Sequence, residues 1–337
     1  EKLIEAEESS FNETLDRGLE IYAKLSSSLS QGGSIAGEDA FKLYDTFGFP
    51  LDLTELLARE DGFTVNVDEF NTCMEEQKDR ARSAGKFKLS LSEADWTLVG
   101  EESPTEFTGY SESESDANLI KYAISEKDGL ELELDRTPFY AESGGQIGDK
   151  GKITAENFSF SVLDVQRSGN EYIHIGKVGK GSIEKVKSVR AEIDADRRNN
   201  IRRNHTATHL LHQALRDILG EHVQQAGSLV APDLLRFDLT HYEQINPQKL
   251  REIENKVNDI ILQNLDVNTQ VKTYEDAKSE GAMSLFGEKY EDLVRVVNVS
   301  GFSMELCGGT HVKRTGDIGA LRITSESALA AGVRRIT

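Results

Sequence analysis

Apolar positions in the first part of the chain recur at helical spacing. In "EKLIEAEESSFNETLDRGLEIYAKLSS", Leu3, Phe11, Leu15, Leu19, Tyr22 and Leu25 follow a three-to-four rhythm that predicts an amphipathic helix. "GEDAFKLYDTFGFPLDLTELLARED" predicts a second helix, a break at "GFP" and a third helix from about Leu51. "VDEFNTCMEEQKDRARSAG" predicts another, closed by Gly85. Between about 95 and 195 the period falls to two in "LIKYAIS", "LELELD", "FSFSVLDV" and "EYIHIGKV", separated by glycine-bearing turns, which predicts a small β-barrel. From 196 onward helical and strand patterns mix. The expected architecture is therefore multidomain α+β: an N-terminal α-helical region over 1–90, a β-barrel over 91–195 and an α+β core over 196–337. No internal repeat is visible, and "SSSLSQGGS" and "SESESD" read as linkers or exposed loops. The first helix starts without a cap, so the chain is expected to be a piece of a longer protein.

Composition changes this picture only modestly. A chain of 337 residues has room for two or three domains. No apolar run approaches the roughly 20 residues of a membrane span, and no leader is evident, so an intracellular, cytoplasmic protein is expected. The two cysteines, Cys73 and Cys307, sit in such different surroundings that a disulfide is not expected. Cys73 reads as a packing residue. The net charge of -20 argues against a surface broadly adapted to phosphate, yet leaves room for one basic groove.

The chemistry gathers in "RRNNIRRNHTATHLLHQALRDILG". Projected at 100 degrees per residue, Leu210, Leu211, Ala214, Leu215, Ile218 and Leu219 share one face. His205 and His209 lie nearly opposite, flanked by Arg198, Arg202 and Arg216 on a stripe expected not to face the core. Histidines at i and i+4 suit two ligands of one metal, and His212 at the edge of the stripe is a further candidate. In "CGGTH", glycines let Cys307 and His311 converge as a second pair. Together the four make a set suited to zinc. A zinc protease would carry glutamate where Thr206 stands, and the H-x-E and P-C-x-x-C signature of zinc deaminases is missing. A structural zinc is the competing reading. The turn "ESGGQIGDKG" offers Gly144, Gly145 and Gln146 either as a hairpin needing positive φ or as bare backbone approaching a ligand.

"HTATHLLH" with "CGGTHV", "PFYAESGGQIGD" and "FKLYDTFGFPLDLT" resemble motifs of the alanyl-tRNA synthetase family, and the likeness extends over essentially the whole chain. Threonyl-tRNA synthetase editing domains share the paired histidines and the cysteine–histidine pair, but "CGGTH" and "LYDTFGFP" favour the alanyl family. The wording of the motifs looks bacterial. The resemblance implies a helical tRNA-recognition region followed by an editing domain with a zinc-containing core. ATP and Mg2+ would belong to the aminoacylation domain, for which no counterpart is seen. It further implies hydrolysis of mischarged Ser-tRNA(Ala) and Gly-tRNA(Ala), tRNA(Ala) as partner, and no membrane or protein partner. The alternative is a tRNA-binding module with a structural zinc. The resemblance makes Gln225 in "HVQQAGS" and Thr206 catalytic or substrate-recognition candidates and gives the projected stripe of Arg198, Arg202 and Arg216 the role of holding tRNA phosphates, while Asp45 would contact the acceptor stem or serve as a helix cap or buried hydrogen-bonding group. An alanine pocket rejects glycine or serine only about 10 to 200-fold, which is why a second hydrolytic site is needed.

Overall fold

The computed structural model describes residues 2–85, 95–125, 129–284, 290–330 and 332–337. It is α+β and divides into two compact units, Glu1–Glu93 and Ala94–Thr337. The expected boundary at residue 90 lies outside the described residues.

The first unit is helical, with α1 (Lys2–Ser27), α2 (Gly37–Phe47), α3 (Leu51–Glu60) and α4 (Val67–Gly85). The "GFP" break has a defined cause. Gly48 takes a left-handed φ of 68°, and the N–H groups of Gly48 and Phe49 return to the carbonyls of Tyr44 and Leu43, closing α2 in a Schellman motif before Pro50 opens α3. Burial is thinner than the spacing in α1 suggests. Tyr22 is buried with Ile35, Ala40, Ala58 and Phe70, but Phe11 and Leu19 are exposed, because this small core engages only part of the helix.

In the second unit six antiparallel strands form the barrel: β1 (Glu114–Ser125), β2 (Gly129–Leu134), β3 (Gly151–Ala155), β4 (Phe158–Ser168), β5 (Glu171–Lys180) and β6 (Ser188–Ile193). Their order is β6-β3-β4-β5-β2-β1, and pairing of β6 with β1 from Ser188↔Asn118 to Glu192↔Glu114 closes the ring. Alternate residues such as Leu132, Leu134, Ile153, Phe160 and Ala191 fill its interior.

The barrel interior also encloses His174, which is fully buried. Its Nδ1–H donates to the Leu132 carbonyl (3.1 Å) and its Nε2 accepts from the Thr137 hydroxyl (2.7 Å), so the neutral ring is satisfied. Burial holds its pKa down at about 4. With the folded value below the unfolded one of 6.5, the neutral ring's contribution is complete above pH 6.5 and is lost as pH falls toward 4. The expected cost over that window is about 3 kcal/mol. Unfolding followed by Trp96, the single tryptophan, at pH 7 and at pH 4 checks this. In His174→Gln the difference between the two pH values should shrink by most of that amount, and an undiminished difference would contradict the assignment.

The barrel leads directly into α5 (Ala195–Leu219), capped by the Asp194 carboxylate accepting from Arg197 N–H (3.0 Å). There follow β7 (Gln225–Val230), β8 (Leu235–Thr240), α6 (Pro247–Leu262), β9 (Val267–Thr273), α7 (Tyr274–Ser279), β10 (Leu293–Val299), β11 (Ser303–Leu306), β12 (Glu326–Ala330) and β13 (Val333–Ile336). They make a four-stranded sheet, β7-β8-β13-β12, and a three-stranded sheet, β9-β10-β11. The leucine face of α5 packs with Ile253, Val257 and Ile261 of α6 and with Phe237, Leu239 and Ile336. Barrel and α+β part belong to one compact unit.

Candidate metal centre

The opposite face of α5 is buried too, which corrects the expectation of an open polar stripe. His205, His209 and His212 are each less than 10% exposed, because the loop after β11 and the barrel loop at Ser143–Gln146 close over them. One helical turn separates His205 from His209, and their rings stack with centroids 5.4 Å apart. Cys307 follows β11, and its Sγ lies 3.3 Å from both His205 Nε2 and His311 Nε2. The four side chains offer ligand atoms within 4.8 Å of one another. The two half-motifs, about a hundred residues apart, meet.

The outer nitrogens are engaged in a way that leaves the inner ones for a cation. Gln146 Oε1 accepts from His205 Nδ1–H (2.7 Å), Glu305 Oε2 from His209 Nδ1–H (2.6 Å), and Thr206 Oγ1 meets His311 Nδ1 (3.2 Å). His209 Nε2 is buried with no hydrogen-bond partner, an expensive arrangement for an imidazole unless a ligand takes the lone pair. The residues therefore fit a divalent metal of zinc's preferences.

The electrostatics favour ligation at Cys307 and His311, whereas at His209 they hold a proton that a cation would have to displace. Crowding alone would raise the Cys307 thiol, but His205, His311 and His209 pull it well below its ordinary range, toward thiolate. Burial drives His311 down to about 3. For His209 the burial effect is overcome by Glu305 and Cys307, which raise it to about 10, while Glu305, despite its own burial, is lowered to about 2 by His209 and His212.

The remaining site residues fall into distinct places. Gln225 opens β7 and lines a cavity of about 400 Å3 together with His205, His209, Cys307, Tyr140 and Gly144. Thr206 is fully buried, its Oγ1 meeting His311 Nδ1 (3.2 Å) and accepting from the Val312 N–H (3.2 Å), and it is not part of that cavity's wall. His212 does not join the cluster, because its Nδ1–H is turned to Glu305 Oε1 (3.0 Å). Gly144 and Gly145 both take positive φ, 58° and 82°, as the hairpin reading requires, and Gly144 also borders the cavity. Gln146 is buried, and its Oε1 additionally accepts from the Thr310 N–H (2.9 Å) and hydroxyl (3.2 Å).

Two of the three arginines expected on the phosphate track are committed elsewhere. Arg198 is fully buried, paired with Asp149 and donating to the carbonyls of Gly109 (2.6 Å) and Pro138 (2.9 Å). Arg216 donates to the carbonyls of Glu221 (2.9 Å) and Val223 (2.8 Å), tying down the turn after α5. Arg202 is half-buried and lines a cleft. In the helical unit Asp45 is exposed near the end of α2, where it accepts from Gln77 Nε2, so it is neither a cap nor a buried group.

Sequence reasoning missed three residues. Arg295 Nη1 donates to the carbonyls of Cys307 (2.9 Å) and Gly309 (2.8 Å), and the Tyr110 hydroxyl donates to the Gly308 carbonyl (2.7 Å), so the two clamp the glycine loop. Glu305 had a visible signal: in "SMELCGG" it stands two residues before Cys307, the spacing of side chains that share a side in extended chain. Arg295 reaches the loop through the pairing of β10 with β11, which no local pattern shows.

Comparison with known proteins decides the lineage. Residues 1–197 match the family model for class II (A) tRNA synthetases, and residues 294–337 match the second additional domain of threonyl and alanyl tRNA synthetases. The alanine–tRNA ligase of Thermoanaerobacter sp. (strain X514) is 48% identical over 345 residues, covering 99% of this chain and 39% of that protein. The enzyme of Chlorobaculum tepidum is 47% identical over 353 residues, covering 100% and 40%, and that of Fusobacterium nucleatum 47% over 339 residues, covering 99% and 39%. The chain belongs to the alanyl-tRNA synthetase family. It spans about two fifths of the length of these relatives. Within the alanyl-tRNA synthetase sequence, Cys307 and His311 fall in the second additional domain, whereas His205 and His209 fall between the two matched models.

Proposed function

We propose that the second unit is an editing deacylase that hydrolyses the ester of Ser-tRNA(Ala) and Gly-tRNA(Ala), with the helical unit serving tRNA(Ala) recognition. The observation that carries this reading is the cluster of His205, His209, Cys307 and His311, of which His205, His209 and Cys307 line a cavity that Gln225 lines as well. Zinc held by these four residues would supply a Lewis acid beside the ester carbonyl or a water. The chain's own groups do the rest. The Gln225 amide orients a serine hydroxyl or water, Glu305 and Gln146 fix the ligand rings, and Arg295 and Tyr110 hold the glycine loop in place. On the same reading, the full-length enzyme would attach alanine to tRNA(Ala) using ATP and Mg2+.

The test is to incubate the protein with Ser-tRNA(Ala) and follow serine release against a metal-stripped control. Cys307→Ala should lower deacylation roughly 100-fold while leaving tRNA affinity within about threefold. Equal loss of both would remove Cys307 from the reacting site. The second reading, a tRNA-binding module with a structural zinc, is favoured by the completeness of the donor set, since four protein ligands fill a tetrahedral zinc. Serine release no faster than the stripped control would select it.

A further inference from the structure

Once Arg198 and Arg216 are accounted for, the cations regroup in a way the helix projection does not show. Arg202 meets Arg203 and Lys313 around a cleft of about 610 Å3, whose wall also includes Tyr110, His311 and Asp317. Among the described residues none of the three cations has a carboxylate partner. The Arg202 guanidinium reaches Asn199 Oδ1 (3.3 Å) and the Gly109 carbonyl (3.5 Å), and that of Arg203 reaches the Asp317 carbonyl (3.0 Å) and Asn200 Oδ1 (2.9 Å). The Asp317 carboxylate instead caps a short turn by accepting from the Arg314 N–H (3.1 Å). In a chain of net charge -20, three cations without a matching carboxylate around one concavity mark a place shaped for an anion.

The position of the cleft says which anion. His311 belongs both to its wall and to the metal cluster. Tyr110 stands at the border. Its ring lies 4.2 Å from the Arg295 guanidinium, its hydroxyl bonds Gly308, and both Arg295 and Gly308 line the cavity that holds Gln225. Tyr110 is 46% exposed, so ring surface is left for a base. A strand whose phosphates occupy the cleft would pass its last nucleotide over Tyr110 and deliver a 3′ ester to the metal side.

We propose that Arg202, Arg203 and Lys313 bind two consecutive phosphodiesters of the unpaired 3′ end of RNA. This rests on the reading of the unit as acting on aminoacyl-tRNA, but it is tested by binding alone. The probes are an acceptor-stem minihelix with its unpaired 3′ nucleotides, the same duplex with blunt ends, and inorganic phosphate. Each single-strand phosphate contact contributes about 0.7 to the salt slope, so Arg203→Gln/Lys313→Gln should flatten it by about 1.4. Between about 50 and 200 mM salt the wild type should then lose roughly sevenfold more affinity than the variant. Lys313→Gln alone, at an exposed side chain, should show about half the slope change and retain its metal. Exposed Arg322→Gln, outside the cleft, should leave the slope unchanged. The blunt duplex should not distinguish variant from wild type, and millimolar phosphate should not displace the minihelix.

An unchanged slope, or equal losses with the blunt duplex, would overturn the proposal, and displacement by phosphate would make the cleft a free-anion site. Absence of serine release with the slope change intact would sink the deacylase reading and leave this one standing.

Discussion

Replacing Gly309 with alanine should abolish metal binding, lowering zinc affinity by about 100-fold or more and deacylation with it. A Cβ at this position would sit 2.0 Å from His205 Cε1 and 2.4 Å from its Nδ1. Neither side can yield. The His205 ring is held by Gln146, and the loop is held at the Gly309 carbonyl by Arg295 and at the Thr310 N–H by Gln146. The neighbouring glycine is the natural control, because a Cβ on Gly308 meets nothing within 4 Å. Zinc competition against a chromogenic chelator should show Gly308→Ala close to wild type and Gly309→Ala without tight metal. If the two variants bind zinc within a few-fold of each other, the packing of this loop against His205 is not what fixes the site.

The second large effect concerns stability. Arg198→Met should cost about 3 to 5 kcal/mol, a substantial part of the 5 to 15 kcal/mol by which a domain is ordinarily stable. The Arg198 guanidinium and the Asp149 carboxylate are both almost completely buried, and Asp149 also accepts from the Tyr140 N–H (2.8 Å). Removing the cation strands a carboxylate between helix α5 and the loop before β3, along with two carbonyls. Urea unfolding followed by Trp96 measures the loss, and adding Asp149→Leu should recover part of it by removing the stranded charge. A variant as stable as wild type but weaker in tRNA binding would return Arg198 to the phosphate track.

Much of this was legible along the chain, for identifiable reasons. Periods of 3.6 and two gave the helical region, the barrel strands and α5, since each is set by which faces of an element are covered. The paired histidines and "CGGTH" stood out because metal ligation constrains local spacing. What stayed hidden depends on register and on partners far away in sequence. The projection of α5 separated the leucine face correctly, but it had no means of showing that the histidine face would be roofed by another loop. Arg198 and Arg202, one turn apart, look alike in the sequence; Asp149, some fifty residues earlier, makes one a buried tie and leaves the other at a cleft. The exposed Phe11 and Leu19 mark the converse limit, because apolar spacing specifies a helix without supplying something to cover it.

The carboxamide of Gln146 has a consequence for proton placement. An amide oxygen only accepts, so contact with His205 Nδ1 obliges that nitrogen to carry the hydrogen and leaves the Nε2 lone pair directed at Cys307 and its neighbours. Gln146 comes from the barrel and His205 from the helix beyond it. The barrel thus selects the tautomer of a histidine it does not contain, and the competence of the centre to take up a cation becomes a readout of whether barrel and helix are correctly joined.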